Sequence, residues 1–311
     1  MSDAVIEHGK SSIEQGSTSF AAASRLFGKT LREDVWRLYA WCRHCDDEID
    51  GQDHGGLSTA LTSQERHARL ARLRSKTAQA MAGHPMDEPS FAAFSHVALK
   101  HRFDPAWPDA LLDGFAMDVD GHRFANRADT LGYCWGVAGV VGVMMAAIMG
   151  ARDEAVLRRA QDLGLAFQLT NICRDVREDA LNGRVYLPAD ALAAVGVASD
   201  PATVSDPAHA AAVFRVVTDQ LELAEDYYDS ARIGLRALPF RGALAVAAAR
   251  RIYRRIGREI LKAGPVALQT RRRVARPVMV GLLLLGGIDA LWSRLERLAP
   301  GPPRAALWSR L

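Results

Sequence analysis

Apolar residues recur along most of this chain at steps of three and four positions, and no segment alternates apolar and polar residues as a half-buried strand does. This periodicity is typical of amphipathic α-helices. One helix is predicted from Thr30 to Asp50, where Val35, Leu38 and Cys42 share an apolar side. Five more are predicted at Ser63–Met81, Ser90–His101, Pro108–Asp120, Thr130–Met149 and Asp153–Asp179.

Glycine and proline mark the breaks that follow. Asn182–Gly183 ends the sixth helix and Pro188 opens another, while residues 195–207 are predicted to form a surface loop. Three long helices should follow, interrupted near Pro239 and Pro265. We therefore expect a single-domain, all-α bundle around a central cavity over residues 1–311, with irregular ends at 1–15 and 300–311 and a frayed C-terminal tail.

Two acid clusters interrupt the apolar pattern. Asp46 and Asp50 are four residues apart, and so are Asp175 and Asp179. At about 3.6 residues per turn each pair lies on one helix face, where like charges repel and weaken the helix. A hard cation such as Mg²⁺ relieves the repulsion, because it binds carboxylate oxygens together with substrate phosphates. The spacing therefore predicts a metal-diphosphate site between two facing helices.

Each cluster also has a simpler interpretation. In this interpretation the first cluster is an acidic helix end in which Arg43 pairs with Asp47. Acids at a helix C-terminus are unfavourable, because they lie at the negative end of the helix dipole. The second is then a solvent-exposed helix face. Gln168, Asn171 and Arg174 share the stripe of the second cluster on an otherwise apolar helix, and this mixture favours a wet cavity over an exposed face.

Four glycines crowd the predicted helix Thr130–Met149, at Gly132, Gly136, Gly139 and Gly142. Each glycine destabilises a helix by about 1 kcal/mol relative to alanine, so four of them need a reason. Close approach of a neighbouring helix is one reason, and room for a bulky ligand beside an apolar channel is another. The sequence leaves both open.

Composition narrows the classes of function. The 311 residues are 49% hydrophobic with a net charge of +3, too close to balance to indicate a nucleic-acid partner. Between Arg241 and Arg276 lie eleven Lys or Arg residues and one acid, Glu259. A solvated helix face is the commoner interpretation of such a run, and attraction to anionic phospholipid or a diphosphate is the sharper one. No Gly-x-Gly-x-x-Gly or P-loop string signals a nucleotide site.

Location is indicated by the cysteines and the apolar runs. The four cysteines fall in predicted helices and are expected to be buried, reduced thiols of a reducing, cytoplasmic compartment. The polar residues 1–16 do not resemble a secretory signal, and we expect no C-terminal membrane anchor. The longest apolar run, Val278–Ile288, is too short to span a bilayer. It is predicted to be a core helix, with contact against the inner face of the cell membrane as the alternative.

Five segments resemble the squalene/phytoene synthases, and the likeness extends over about Gly16–Leu298. Two resemble the family's aspartate motifs, and a third resembles its Tyr-Cys-x-x-Val-Ala-Gly-x-Val-Gly signature. The five segments are Ser17–Phe20, Tyr39–Asp50, Tyr133–Gly142, Gln168–Asp179 and Asn182–Pro188. Within the family, Tyr39–Asp50 and Ala116–Gly121 are most similar to the bacterial phytoene synthases.

The resemblance implies an isoprenoid-synthase-type helical bundle that acts as a prenyltransferase in carotenoid biosynthesis. The implied reaction joins two geranylgeranyl diphosphates head to head, through prephytoene diphosphate, to give phytoene. It uses Mg²⁺ or Mn²⁺ and no NADPH, while any requirement for ATP stays open. Peripheral contact with membrane lipid and with downstream carotenoid enzymes is a further expectation.

The resemblance also assigns roles to individual residues. The implied metal ligands are Asp46, Asp47, Asp50, Asn171, Asp175 and Asp179, with Glu178 a weaker candidate. The implied diphosphate contacts are Ser17, Ser19, Tyr39, Arg43, Arg174 and Tyr253. The implied catalytic groups around the second ionisation are Tyr133, Gln168, Asn171 and Tyr186.

Three alternatives remain at this point. A squalene or dehydrosqualene synthase would use farnesyl diphosphate on the same scaffold. An elongating prenyl synthase also pairs two acid motifs, but its first motif is normally followed by an Arg pair, whereas Gly51 and Gln52 stand here. Some relatives are non-catalytic assembly factors that have lost acids, and both clusters are intact here. Thr18 stands where many relatives have a basic residue, so one diphosphate contact is either missing or supplied elsewhere.

Overall fold

The computed structural model describes residues 23–51, 61–298 and 301–311, and within them the chain forms twelve α-helices and no β-strand. The all-α prediction is therefore confirmed. The helices are α1 Lys29–Asp50, α2 Ser63–Met81, α3 Pro89–His101, α4 Ala106–Val119, α5 Arg127–Cys134, α6 Val140–Ile148, α7 Glu154–Leu181, α8 Ala189–Ala194, α9 Pro201–Ser205, α10 Ala210–Gly234, α11 Phe240–Ala263 and α12 Arg276–Leu295.

Local sequence signals set many of the helix ends. The Thr62 hydroxyl accepts from the Glu65 backbone N–H while Glu65 accepts from the Thr62 N–H, so a capping box starts α2. Asp153 caps the N-terminus of α7 through the Ala155 N–H. Gly51, with a φ of 67°, ends α1 in the left-handed conformation that glycine adopts most easily. These signals explain why the predicted ends of α1, α2 and α7 lie within two residues of the observed ones.

Two predicted segments differ from the structure. The helix expected at Thr130–Met149 is interrupted by a π-turn at Trp135–Gly139, which separates α5 from α6. The expected loop at 195–207 contains the short helix α9, which Asp200 caps through the Thr203 N–H and Pro201 opens. The π-turn and the short helix α9 were missed because a hydrophobic period of about 3.6 residues indicates neither a local change of helix type nor a helix of a single turn.

Helix α7 lies at the centre of the bundle, where it packs against α6, the π-turn, α10 and α11. Helix α1 packs on α3, with the Trp41 and Phe94 rings stacked at 4.0 Å between centroids, and α2 packs on α4. Helix α12 packs on α11. The core is thus continuous around α7, and the second acid cluster lies near the C-terminal end of this central helix.

Most of the glycines of the α5–α6 region serve close backbone approach. A Cβ on Gly136 would lie 2.7 Å from the Gly114 Cα of α4, and one on Gly142 would lie 2.4 Å from the Ala160 carbonyl of α7. Gly164 of α7 meets Ala138 in the same way, at 2.3 Å from its carbonyl. Gly132 faces open space. Tight packing therefore accounts for Gly136 and Gly142, and Gly142 also lines the central cavity.

Two predictions about the C-terminal region are wrong. Helix α12, expected in the core, buries only Gly286, Ala290 and Ser293 and leaves its large apolar side chains exposed. The tail at 301–311 is irregular but is held in place rather than frayed. Arg304 forms a bidentate ion pair, at 2.7 and 2.9 Å, with the fully buried Asp162 of α7.

Candidate active site

A cavity of about 420 Å³ runs through the bundle beside α7, between α4, α6, α10 and α11. Most of its wall is apolar, including Val141, Met145 and Phe167. Polar side chains gather where α1 and the C-terminal half of α7 meet the cavity. They are Tyr39, Arg43, Asp46, Tyr133, Gln168, Asn171 and Tyr253. Helices α1 and α7, which carry the two acid clusters, therefore line the same cavity, and this cavity has an apolar body and a polar end.

The first acid cluster occupies the last turns of α1. Arg43 pairs with Asp46 at 3.0 Å and with Asp47 at 2.5 Å, so the expected Arg43–Asp47 pair exists beside the cavity. Asp46 lines the cavity, whereas the buried Asp47 does not and is held by Arg43. Asp50 accepts a hydrogen bond from the Arg184 guanidinium at 2.7 Å. Asp46 is thus the best placed of the three acids to bind a cation facing the cavity.

The second acid cluster occupies the last turns of α7. Asp175 is held between two guanidinium groups, since Arg174 binds it through two nitrogens and Arg271 approaches it at 3.0 Å. Arg271 also lies 3.5 Å from Glu178. Both acid clusters therefore sit at helix C-termini, where the partial negative charge of the helix dipole adds to that of the carboxylates.

Arg184 connects the two clusters. Gly183, with a φ of 80°, turns the chain out of α7, and the Arg184 N–H then donates to the Asp179 carbonyl at 2.9 Å. From this position the Arg184 side chain reaches Asp50 of α1. One guanidinium therefore bridges the end of α7 and the end of α1, which fixes the two acid helices relative to each other.

Asp118 of α4 adds a further carboxylate to the polar end. It accepts hydrogen bonds from the hydroxyls of Tyr133, at 2.9 Å, and Tyr186, at 2.7 Å. The two tyrosine rings stack with centroids 4.7 Å apart. Tyr133 lines the central cavity, whereas Tyr186 lies behind it and lines a neighbouring cavity of about 290 Å³ with Asp118 and Arg184. Tyr133 thus lies in the wall of the central cavity, and Tyr186 lies behind Tyr133 and contacts it by stacking.

The other predicted contacts surround the same polar end. The Asn171 amide donates to Gln168 at 3.4 Å, and both residues line the cavity. The Tyr253 ring stacks on Phe167 with centroids 4.2 Å apart. Burial raises the pKa of Tyr39 to about 12, so its hydroxyl keeps its proton. Ser17 and Ser19 lie outside the described residues.

The acid clusters carry more negative charge than their neighbours neutralise. Burial, followed by repulsion from Asp50, raises the pKa of Asp46 to about 7 although Arg43 opposes the rise. Burial, followed by repulsion from Asp175, raises the pKa of Asp179 to about 8, with Arg184 in opposition. The Asp46 side chain remains 44% exposed because it faces the cavity, although it lies deep in the bundle. Both sites would therefore gain from an added cation.

The residues fit a divalent metal that is shared with a substrate. Within the described ranges, no group of three or more His, Cys, Asp or Glu side chains is arranged to hold a metal by itself. Mg²⁺ usually keeps several waters and is completed by substrate phosphates, so one or two carboxylates on each helix suffice. The Asn171 Oδ1 atom is buried without a hydrogen-bond partner and supplies a further oxygen of the type that Mg²⁺ accepts.

Three charged residues of the site were not predicted individually. Asp118 and Arg184 lie within segments that resembled the family, Ala116–Gly121 and Asn182–Pro188. Arg271 belongs to the basic run, of which the diphosphate interpretation was one alternative. No periodicity marks them, because each contacts its partners by packing between separate segments. The separations along the chain run from 15 residues, for Asp118 and Tyr133, to 134 residues, for Arg184 and Asp50.

Comparison with known proteins gives the family of the chain. The family model described as squalene/phytoene synthase matches residues 13–278. The chain is 49% identical to a 15-cis-phytoene synthase of Enterobacter agglomerans over 298 residues, covering 96% of this chain and 99% of that protein. It is 47% identical to a 15-cis-phytoene synthase of a Paracoccus species over 310 residues, covering 100% and 99%.

A solved structure of a dehydrosqualene synthase in complex with ligand superimposes with a TM-score of 0.82 at 27% identity, covering 94% of this chain and 98% of that one. A squalene synthase from Alicyclobacillus acidocaldarius, at 22% identity, has a TM-score of 0.73 over 84% of this chain and 94% of its own and shares the fold. On the match of 266 consecutive residues and on relatives this similar over their whole length, the chain belongs to the squalene/phytoene synthase family.

Proposed function

We propose that the protein condenses two molecules of geranylgeranyl diphosphate head to head, through prephytoene diphosphate, to give phytoene for carotenoid biosynthesis. One observation carries this proposal. The first acid cluster reaches the polar end of a single apolar cavity through Asp46, and α7 lines the same end through Gln168 and Asn171, one to two turns before its own acids. Each cluster holds an acid whose pKa is raised, Asp46 and Asp179, and would gain from a cation. A long prenyl chain fits the apolar body, and its diphosphate fits the polar end. The two named relatives, at 49% and 47% identity, are 15-cis-phytoene synthases, which supports this substrate over a shorter one.

Ionisation of the first substrate begins at the polar end. Asp46, Asp50, Asp175, Asp179 and Asn171 would hold Mg²⁺ or Mn²⁺, which when bound supplies the positive charge that stabilises the leaving diphosphate. Asp47 and Glu178 contribute negative charge from behind the ligands.

The guanidinium groups of the site would turn from carboxylates to phosphate oxygens. Arg43 and Arg174 each pair with an aspartate of the site, and Arg184 and Arg271 do the same from outside the two motifs. Charge-assisted contacts to phosphate oxygens are about twice as strong as neutral hydrogen bonds. Tyr39, Tyr253, Ser17 and Ser19 would donate further hydrogen bonds, so the diphosphate leaves into a positively lined pocket.

The allylic cation is then protected by the cavity. Loss of diphosphate leaves an allylic cation that alkylates the double bond of the second substrate, and loss of a proton from the alkylating carbon then closes the cyclopropane of prephytoene diphosphate. A second ionisation rearranges that ring, and loss of a proton without reduction gives phytoene. Water would trap either cation, so the apolar wall formed by residues such as Val141, Met145 and Phe167 serves to exclude it.

Tyr133, Gln168 and Asn171 would act around the second ionisation. The Tyr133 hydroxyl donates a hydrogen bond to Asp118. The lone pairs of the Tyr133 oxygen therefore remain available to the cavity. An oxygen so held can stabilise a nearby cation or accept the proton that is lost. Tyr186 fixes this arrangement by donating to the other oxygen of Asp118 and by stacking on the Tyr133 ring.

The location follows from the product. Phytoene is a hydrocarbon that partitions into lipid, so we infer that the enzyme acts on the cytoplasmic side with peripheral contact with the membrane. Downstream carotenoid enzymes would then receive the product there.

A product assay tests the proposal. The purified protein is incubated with radiolabelled geranylgeranyl diphosphate and Mg²⁺ or Mn²⁺, without NADPH, and the lipid extract is separated by HPLC. Phytoene is the expected product. A product from farnesyl diphosphate alone would move the assignment to a squalene or dehydrosqualene synthase. No product from either would favour a binding role.

A further inference from the structure

Helix α12 presents a broad apolar face to solvent. Leu284 is 73% exposed, Leu291 is 60% exposed and Trp292 is 59% exposed. At about 100° per residue these side chains and their apolar neighbours fall within one arc of roughly 160°. The exposed apolar residues of this face are Val278, Val280, Leu284, Leu285, Ile288, Leu291, Trp292, Leu295 and, in the turn that follows, Leu298. Contiguous apolar surface of this extent marks an interaction site.

The opposite face holds α12 lengthwise on the bundle. A Cβ on Gly286 would lie 2.8 Å from the Ala248 backbone of α11, so the two helices are in close contact. Asp289 forms a bidentate ion pair with Arg251 of α11, at 2.6 Å for each bond. Residues 276–298 are long and apolar enough to cross a membrane by length and composition, but only 17% of the most apolar window is buried. A helix fixed in this way lies along the protein surface and cannot span a bilayer while it is packed.

Basic residues border both ends of the apolar face. Arg271, Arg272, Arg273 and Arg276 precede or open α12, and no acid occurs from Thr270 to Ile288. Arg273 and Arg276 are exposed. At the other end, Arg294 and Arg297 outnumber Glu296, which pairs with Arg232. Both ends of the face are therefore net positive.

We propose that α12 is a membrane-docking helix that lies flat on a bilayer containing anionic lipid, with its apolar arc among the acyl chains and its arginines at the headgroups. Anionic headgroups neutralise both basic ends at once. A second copy of this chain is a poorer occupant, because parallel or antiparallel pairing of the face brings one positive end against another.

The docking face lies close to the cavity. Helix α11 alone separates them, since its Ala245 and Val246 line the cavity while its Ala248 supports Gly286 of α12. The basic segment before α12 also reaches the acid site, where Arg271 contacts Asp175. Docking therefore holds the site beside the bilayer into which the proposed hydrocarbon product must pass. This last step rests on the proposed function, whereas the docking itself does not.

Vesicle binding without substrate tests the docking directly. Co-sedimentation is measured with phosphatidylcholine vesicles that contain or lack phosphatidylglycerol. The triple variant Leu284→Glu/Ile288→Glu/Leu291→Glu should bind the anionic vesicles about a hundredfold more weakly, because three buried apolar side chains are lost from the lipid. Arg273→Gln/Arg276→Gln should weaken binding about tenfold, and less so in high salt. Leu99→Glu, at an exposed leucine of α3, should leave binding unchanged.

Quenching of Trp292 provides a second measurement that does not depend on a multiple substitution. Brominated lipid should quench part of the tryptophan fluorescence of the parent protein, and Trp292→Phe should remove that part. Equal vesicle binding by the triple variant and the parent would overturn the proposal. A stable dimer in solution that the triple variant dissociates would also overturn it and assign the face to a second copy. Because no substrate is present, neither outcome depends on which reaction the protein catalyses.

Discussion

Asp34 and Asp46 lie on the same helix, about three turns apart, in opposite electrostatic situations. Asp34 accepts from Arg37 at 2.9 Å, Lys100 at 2.7 Å and His101 at 2.9 Å. Burial alone would raise the pKa of Asp34, but the hydrogen bonds from His101 and Lys100 outweigh it and lower the pKa to about 2. Asp46, beside Asp50 and the cavity, has a pKa raised to about 7.

The difference distinguishes Asp34, an acid that stabilises the fold, from Asp46, an acid that is suited to binding a cation. Three basic side chains hydrogen-bond to Asp34 and a fourth, His96, lies 3.8 Å from it, so the protein itself compensates the charge of this carboxylate. Among the residues that the structure describes, Asp46 pairs with the Arg43 guanidinium alone, which it shares with Asp47, and the pKa of Asp179 is raised in the same way. The comparison predicts that substituting Asp34 harms folding, whereas substituting the acids of the cavity harms activity alone.

The largest expected effect is the loss of activity in Asp46→Ala and in Asp175→Ala. Each removes a carboxylate that would hold the metal against the leaving diphosphate, and we expect turnover to fall by about a thousandfold or more. The helical circular dichroism signal should not change, because alanine has the highest helix propensity and both side chains lie in the last turns of their helices.

The matched control for these variants is Asp113→Ala. Asp113 is an exposed acid of α4 that pairs with Arg74 at the surface, and its loss should leave turnover within about twofold of the parent. Retention of most activity by either cavity variant would remove that residue from the metal site. Equal losses in all three variants would mean that the assay reports overall charge.

The second effect is a loss of stability in Asp34→Asn. The Asp34 side chain is 2% exposed, and its removal leaves Arg37 and His101 without their charge partner. Breaking a buried ion pair on one side destabilises by about 3 kcal/mol, which urea denaturation would measure as a lower midpoint at unchanged slope. Activity per folded molecule should persist. A drop in activity with unaltered stability would contradict the contrast between the two acids.

The sequence alone could predict the acids of the two clusters, but it could not predict the surroundings of Asp34. The repeated spacing of Asp46–Asp50 and Asp175–Asp179 is visible along the chain, because both members of each pair belong to one helix. Asp34 gave no such signal, since Lys100 and His101 reach it from α3 across more than 60 residues. Arg184 and Asp118 escaped individual prediction for the same reason. What depends on one helix could be predicted, and what depends on packing between helices could not.

The same limit explains the error at α12. Its run of Val and Leu residues has the composition of a core helix, and helical period fixes which residues share a face but not what covers that face. The helix is attached through Gly286, Ala290 and Ser293, which are small residues that carry little hydrophobic signal. The side chains that made the segment look like a core helix are those left outside.

A third expected effect is an opposite pH dependence of stability for the two kinds of acid. The folded pKa values of Asp46 and Asp179, about 7 and about 8, exceed the ordinary value of 3.8, so the metal-free folded state binds more protons than the unfolded state between about pH 4 and pH 8. Stability from these groups therefore falls as pH rises through that window. For Asp34 the pKa is lowered, so its contribution is present above about pH 4 and is lost as pH falls toward 2.

Thermal unfolding in EDTA should show the first window as a midpoint that declines from about pH 5 to about pH 8. Mg²⁺ with inorganic diphosphate should raise the midpoint more at pH 8 than at pH 5, since the carboxylates are ionised there. In Asp46→Asn/Asp179→Asn the decline should flatten and the response to Mg²⁺ should shrink. A decline that is as steep in the double variant as in the parent would show that other groups cause it.

The smallest effect is expected within the Asp34 cluster itself, at Lys100→Met. The Lys100 side chain is 40% exposed, and Arg37 and His101 remain beside the carboxylate when its amine is removed. An ion pair with one partially exposed partner contributes about 0.5–1 kcal/mol, and methionine retains most of the packing of the lysine stem. Urea denaturation should therefore give a loss several times smaller than that of Asp34→Asn. If Lys100→Met destabilised the protein as much as Asp34→Asn, then the lysine alone would be stabilising the buried charge, and the view of Asp34 as an acid with redundant partners would be wrong.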